Sequence, residues 1–447
     1  MTRETSGRGA GALLLAVGIV ALEFAAAVTS FVGSTLLPVV TADLGARDQL
    51  ALLIAGSTLG LFVALPLAGR TLRVLGAART LGVGVAVYLG SLVVSATAAY
   101  AWVFALGQFA SGLASGLLAV FGVSSAIRHL DESLRIRVVA ASSAMWILPA
   151  MVGPAATLGL EHLVGWRWTL LIPVLFVLIG RILVVRATRG EQPQTAARPL
   201  GRTLLAPIGV TGIVLGTGWW PIAAAGAVVA VIGISAIMPS GTSTLARGTP
   251  AALASMTLFA IGYFGADSLV TVLLTDTYRA TLGQAAIVLS AAPLAWALTS
   301  LAISRFMRGK AKRLFPVIGL AVAAGGVLAV AVGAPSFTIA LVGWTMTGIG
   351  VGLAYPALYI LSTTPGASDL DATELAAAVI TAEAFGGLLG RAAGGAISSG
   401  STDLSITYLV FAAALVLAVY AATRTSTAEQ RATDDHRSQV TGGGDSR

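Results

Sequence analysis

Cysteine is missing from this 447-residue chain, which excludes disulfides, thiolate metal sites and cysteine nucleophiles. Histidine is nearly missing too: His129, His162 and His436 are too scattered to form a metal cluster. Charge is scarce, with 10% of residues charged against 56% hydrophobic. A water-soluble domain carries about 25% charge, so a soluble protein of this size is excluded. No HExxH, paired-histidine or nucleophile-elbow pattern occurs, and no GxxxxGK(S/T) loop. A membrane-embedded enzyme and an ATP-driven machine are both disfavoured on that account. No metal and no cofactor is expected.

What the chain does have is a rhythm of apolar runs near 20 residues, the length an α-helix needs to cross roughly 30 Å of hydrocarbon. Fourteen spans are expected, over 10–39, 50–69, 78–98, 101–126, 138–160, 168–187, 203–217, 221–238, 250–275, 282–304, 314–333, 337–362, 373–396 and 404–423. The first run is too long for a signal-peptide core and is read as a retained span. The stretch 203–246 carries no charge and is split by Gly216-Thr217-Gly218-Trp219-Trp220-Pro221, a tight turn with interfacial tryptophans. It reads as a hairpin between two sets of six spans; its short first arm leaves twelve spans plus a re-entrant or surface hairpin open. The expected organisation is a six-helix bundle over 1–190, a linker and two-helix hairpin over 191–248, a second six-helix bundle over 249–424, and a disordered tail over 425–447.

The net charge of +8 reflects topology rather than nucleic acid, because the basic residues lie in short connections. With the N-terminus inside, 23 of the 27 lysines and arginines fall on the cytoplasmic side, so both termini are expected there. Arg47, Arg167 and Arg279 fall outside and Arg391 lies within a span. Heavy use of arginine, alanine and glycine fits a GC-rich bacterial genome, hence a multi-pass protein of the bacterial cytoplasmic (inner) membrane. A monomer is expected, with the bilayer, protons and a small molecule as its partners.

The two sets of spans echo each other. Gly107, Gly112 and Gly116 are spaced like Gly343, Gly348 and Gly352; Gly153-Pro154-Ala155-Ala156 resembles Gly390-Arg391-Ala392-Ala393; and the basic turn around Gly76 and Arg79 matches the one around Gly309 and Arg313. Duplicated halves are a common construction for secondary transporters, with the substrate site between them.

Charges inside the spans are the main functional signal, since each costs roughly 2.5–3.5 kcal/mol at mid-membrane. Glu23 lies mid-way along the first span; it either loads and releases a proton as its cavity opens to each side, or stays neutral as packing glue. Asp267, in the counterpart span of the second half, shares a cavity with Glu23 or is solvated near the outer end. Glu383 and Arg391 share one face of the thirteenth span, about 12 Å apart, too far to bridge. Both face one aqueous path, or Arg391 snorkels to the surface. Trp146, Trp296 and Trp344 lie within spans, where they either line an aromatic cavity suited to apolar or cationic ligands or face lipid or core. The glycine rows read as close helix packing, and Pro149 and Pro154 as a kink.

Around that kink, Pro149-Ala150-Met151-Val152-Gly153-Pro154 resembles the GxxxGP antiporter motif of the major facilitator superfamily, with Pro149 in the place of the first glycine. Gly165-Trp166-Arg167-Trp168, and Leu37-Pro38 followed by Ala42-Asp43-Leu44-Gly45, match other family features. The resemblance, closest to the fourteen-span drug:proton antiporters, runs to about Arg424. Gly69, Gly76 and Arg79 match the family's conformational loop after the second span, but Arg73 stands where the family has an acid. Gln108 stands where it has an arginine ahead of the fourth-span glycines. The resemblance implies two six-helix bundles around a central cavity, and Gln108, Trp146, Trp296, Trp344 and Arg391, lying within the spans, are its expected lining. It also implies alternating access driven by the proton gradient; the acids inside the spans, Glu23, Asp267 and Glu383, are the expected coupling acids. The expected function is export of lipophilic or cationic molecules. The alternative is proton-coupled import of a small polar metabolite, which calls for more polar side chains inside the spans than this chain provides.

Overall fold

The computed structural model describes residues 2–46, 50–187, 201–216, 219–304, 311–364, 371–398 and 404–425. Among them every regular element is helical and none is a strand. Lipid offers backbone groups no partner, so an apolar chain must satisfy them within its own helices. The order is α1 (Thr2–Asp43), α2 (Leu50–Ala96), α3 (Ala101–His129), α4 (Glu132–Ala144), α5 (Ile147–Val164), α6 (Trp166–Thr169), α7 (Pro173–Ala187), α8 (Leu205–Leu215), α9 (Trp220–Ser235), α10 (Thr249–Val272), α11 (Leu282–Ile303), α12 (Ala311–Val332), α13 (Phe337–Ser362), α14 (Ala372–Ser398) and α15 (Ser405–Thr423).

Local sequence explains the interruptions. Gly76, at φ 73°, breaks α2 into two arms, a backbone conformation that glycine adopts without penalty. Pro149 and Pro154 each withhold an N–H from the carbonyl four residues earlier. The helix gives way at Met145 and Trp146, one turn before Pro149, and separates α4 from α5. Gly165, at φ 81°, ends α5. A capping box between Thr281 and Gln284 starts α11, and the Asp371 side chain accepts from the backbone of Thr373 and Glu374 to start α14.

Eleven helical stretches of the described residues are long and apolar enough to cross a membrane. Fourteen were expected. Two further apolar helices, Trp220–Ser235 and Ile287–Ile303, are shorter. Helix α8 has 11 residues, about 17 Å of helix against roughly 30 Å of hydrocarbon. Helices α8 and α9 lie together through glycines: a methyl on Gly209 or Gly233 would sit 2.1 Å from the backbone nitrogen of Ala230 or Ala206. This pair packs on α2 through α8, and none of its described residues lines the central cavity described below.

The helices before that pair in the chain and those after it pack in matching ways. In the earlier set α1 packs on α5 and α7; in the later set α10 packs on α14 and α15. The glycine rows match in detail. A methyl on Gly107 would strike Ser91 and Ser95 in the second arm of α2, and one on Gly112 would lie 1.9 Å from the Ser57 carbonyl in its first arm. Correspondingly, a methyl on Gly343 would meet Val330 on α12, and one on Gly348 would lie 2.2 Å from the Ala292 carbonyl on α11. Small residues at these points let backbones touch.

The sets meet where α14 crosses α2 and α3, and where α4 crosses α11 and α13. One end of the molecule carries Arg73, Arg128, Arg135 and Arg137 together with the start of α14. The start of α10 and the end of α15 are joined there too, by the Gly248 N–H to the Arg424 carbonyl. We call this the basic end.

Candidate functional site

A cavity of about 570 Å³ lies between the two sets of helices, within the range of small-molecule sites. Its wall draws on α1, α3 and α4 from one side and on α10, α11, α13 and α14 from the other. Glu23, Asp267 and Glu383 all line it. Glu23 is half-buried, and its Oε1 accepts the indole N–H of Trp146 at 3.0 Å. The break before α5 is what turns this indole inward, and Phe31 packs edge-on against it at 6.2 Å between ring centres. Glu383 comes from the opposite side, where the Tyr355 hydroxyl donates to its Oε2 at 3.0 Å. Glu23 and Glu383 lie within electrostatic reach of each other. Asp267 sits near the end of α10 that points away from the basic end, and its charged neighbour is Arg391. No cluster of metal-ligating side chains occurs among the described residues.

Trp296 faces the cavity from the centre of an aromatic nest. Its ring centre lies 5.1 Å from Tyr355, 5.6 Å from Tyr263 and 6.4 Å from Phe259. Its indole N–H has no protein acceptor among the described residues. Trp344 does not line the cavity: it is fully buried, stacked on Tyr263 at 6.0 Å, so Tyr263 takes the wall position in its place. Gln108 is also away from the cavity, donating weakly to Ser95 at 3.4 Å, on the face of α3 that packs against α2. Arg391 is exposed and outside the lining, because two helical turns beyond Glu383 carry it past the cavity. Pro149 is buried and Gly153 lies 3.3 Å from Phe31 as a methyl would meet it. Gly153 thus belongs to the α1–α5 contact, and neither it nor Pro149 is part of the cavity wall. Among the lining side chains the sequence did not single out are Tyr263, Tyr355, Tyr359 and Arg135. Tyr355 and Tyr359 are four apart in an apolar span beside Gly352, a one-face signal that was available. Arg135 reads as a connection charge until the start of α4 folds it under the cavity.

The basic end is closed across the two sets. The Arg128 guanidinium donates to Thr373 Oγ1 at 2.7 Å, and Ser124 shares a hydrogen bond with the same hydroxyl at 3.1 Å. Arg73 folds back beside Gly69 toward Thr373. Gly76 turns the chain there, and Arg79 stays exposed. Ile136 of α4 is buried with Ala357 and Ile360 of α13 at this end. At the opposite end, two separate sequence features become one cluster. Asp43 Oδ2 takes an ion pair from Arg167 at 3.0 Å and the indole N–H of Trp166 at 3.2 Å. Arg167 also donates to the Ala98 carbonyl at 3.2 Å and lies over the Trp166 ring at 4.2 Å.

Comparison with known proteins agrees with this architecture. The chain is 26% identical over 470 residues to a probable multidrug-efflux transporter of Mycobacterium tuberculosis (strain ATCC 25618 / H37Rv), covering 94% of this chain and 96% of the relative. It is 28% identical over 217 residues to an acurin A biosynthesis cluster MFS-type transporter of Aspergillus aculeatus, covering 46% of this chain and 38% of that one. Among solved structures, the Escherichia coli fucose:proton symporter superposes with a TM-score of 0.65 at 14% identity, over 93% of this chain and all of the symporter. A human organic anion transporter superposes with a TM-score of 0.64 at 14% identity, over 93% and 99% of the two chains. Likenesses at this identity speak to the fold alone. The family model of the Major Facilitator Superfamily matches residues 19–365, and with two helix sets enclosing a central cavity the chain belongs to that superfamily of transporters.

Proposed function

We propose that this transporter exports lipophilic, cationic small molecules in exchange for protons, by alternating access. The observation that carries the reading is the meeting of Glu23 and Glu383, from opposite helix sets, on one aromatic cavity. A carboxylate at that depth is costly without a counter-charge. A proton and a cationic ligand are interchangeable ways of neutralising it, which is the requirement for exchange. Trp146, Trp296 and the tyrosines supply faces that attract cations and apolar rings. The multidrug-efflux name of the mycobacterial relative supports export, and the apolar lining suits compounds that partition into membranes.

On this reading the basic end faces the cytoplasm of a bacterial cell with both termini inside, as the arginine distribution favours. The α8–α9 pair is then a two-helix insert beside two six-helix bundles, fourteen helices in all, and the working unit is a monomer. The chemistry needs no cofactor and no enzymatic step, only the proton gradient.

The test is dye efflux. Cells expressing the protein are expected to accumulate less ethidium than controls, and a protonophore is expected to abolish the difference. Greater accumulation of a sugar, amino acid or organic anion, with no lipophilic cation extruded, would replace this reading with import.

A further inference from the structure

One charged group on the cavity wall is left unused by exchange between protons and cations. Arg135, three residues into α4, lines the cavity at its basic end while its side chain is only 8% exposed. Its Nε is sealed from solvent and meets no acceptor among the described residues. The charged or titratable groups within electrostatic reach are Glu132, one turn earlier on its own helix, and Tyr359 on α13. Tyr359 in turn lies within reach of Glu23 and Glu383. No carboxylate among the described residues is shown hydrogen-bonded to this buried guanidinium, an arrangement that is costly, and nothing in the proton exchange offsets that cost.

Position adds direction. Helices α4 and α14 both start at the basic end. Glu383 is eleven residues into α14 where Arg135 is three into α4, so the carboxylate lies roughly 12 Å further along the bundle. The cavity is therefore polar along its length: a cation at its floor, Tyr359 next, then two carboxylates among aromatic rings. We infer that Arg135 is an anion-binding subsite, and that the preferred substrates are zwitterionic amphiphiles. Their carboxylate, sulfonate or phosphate sits on Arg135, and their cationic aromatic body lies beside Glu23, Glu383 and Trp296. The inference rests on the export reading for the upper part of the cavity and adds the floor. A guanidinium offers a planar pair of donors to such an anion, which a lone Coulombic neighbour does not use up.

Two dyes separate the ideas. At neutral pH rhodamine B carries a delocalised cation and a free carboxylate; its ethyl ester keeps the cation and loses the anion. Fluorescence polarisation with the purified full-length protein should show the acid bound about tenfold more tightly than the ester, the equivalent of one good charge-assisted contact. Arg135→Gln should collapse that ratio to near one, and Arg135→Lys should retain part of it, since lysine keeps the charge without the fork. A wild-type protein with no preference for the acid overturns the subsite, even where Arg135→Gln fails to fold. So does an Arg135→Gln protein that elutes as a single species and keeps the full preference. Wild-type protein that binds the ester without preferring the acid sinks the subsite alone; protein that binds neither dye sinks the export reading with it.

Discussion

At the scale of single residues, the argument turns on what a carboxyl group does where water is scarce. Among the described residues Glu23 accepts from Trp146 and Glu383 from Tyr355, and a carboxylate with so few partners is costly to keep charged where water is scarce. On the proposed exchange mechanism each acid trades its proton for a ligand's positive charge. Glu23→Gln keeps size and hydrogen bonding but cannot change charge. In proteoliposomes it is expected to abolish uphill transport driven by a pH gradient while leaving the protein inserted; wild-type rates of uphill flux would make Glu23 a packing residue. Asp267→Asn and Glu383→Gln are expected to shift the pH optimum or the range of dyes transported more than expression, and unchanged pH–rate profiles in both would remove these acids from the mechanism. Asp267 has Arg391 for a neighbour, so its replacement leaves a cation uncompensated, and the larger effect is expected on cationic ligands.

At the scale of elements, glycine decides how closely helices pass. Gly112 and Gly348 hold equivalent places, each against a neighbouring backbone carbonyl, and a methyl there would intrude to 1.9 and 2.2 Å. Neither carbonyl can give way without moving its helix. Gly112→Ala and Gly348→Ala are each expected to cost about 1–3 kcal/mol of overpacking, read as a lower thermal midpoint in detergent. Gly90 is the contrast: it is exposed, and a methyl there meets nothing within 4 Å. Gly90→Ala should raise the midpoint slightly, by up to about 1 kcal/mol of helix propensity. Equal effects at Gly90 and Gly112 would show that the rows are not packing surfaces. The spacing of these glycines was legible in sequence: steps of five and four residues turn successive glycines toward different neighbours, Gly107 and Gly112 to the two arms of α2 and Gly343 and Gly348 to α12 and α11. The partners they touch were not, since spacing on one helix says nothing about which neighbour arrives.

At the scale of the whole molecule, the orientation and the insert are open to one experiment that the chain's composition makes simple. With no native cysteine, single cysteines report their side of the membrane without background. In intact cells a membrane-impermeant maleimide is expected to label Arg279→Cys but not Arg202→Cys. Trp219→Cys, in the turn between α8 and α9, is expected to label from outside if that pair spans the bilayer. Labelling of Trp219→Cys only after the cells are opened would make the pair a re-entrant or surface hairpin and leave twelve spans. Labelling of Arg202→Cys from outside would invert the topology and with it the direction of export.

The sequence alone pointed to a membrane as this chain's solvent, to its helical class and to glycine spacings that recur in its two halves. Apolar run length and the cost of unsatisfied backbone in lipid leave few alternatives to packed helices. It also picked out the rare intramembrane acids, because hydrocarbon makes each one conspicuous. It placed Trp344 and Gln108 on the cavity, whereas the tertiary structure sends both into helix–helix contacts: a span's hydropathy is nearly uniform around its circumference, so it does not say which face is inward. The same blindness hid Tyr355, Tyr359 and Arg135, whose roles depend on the crossing of α4, α13 and α14. The joining of Asp43 to Trp166 and Arg167 likewise belongs to tertiary structure, since more than a hundred residues separate them and only the return of α6 to the end of α1 brings them within hydrogen-bond distance. Local chemistry determined which helices form; which side chains share a cavity was decided by how those helices cross.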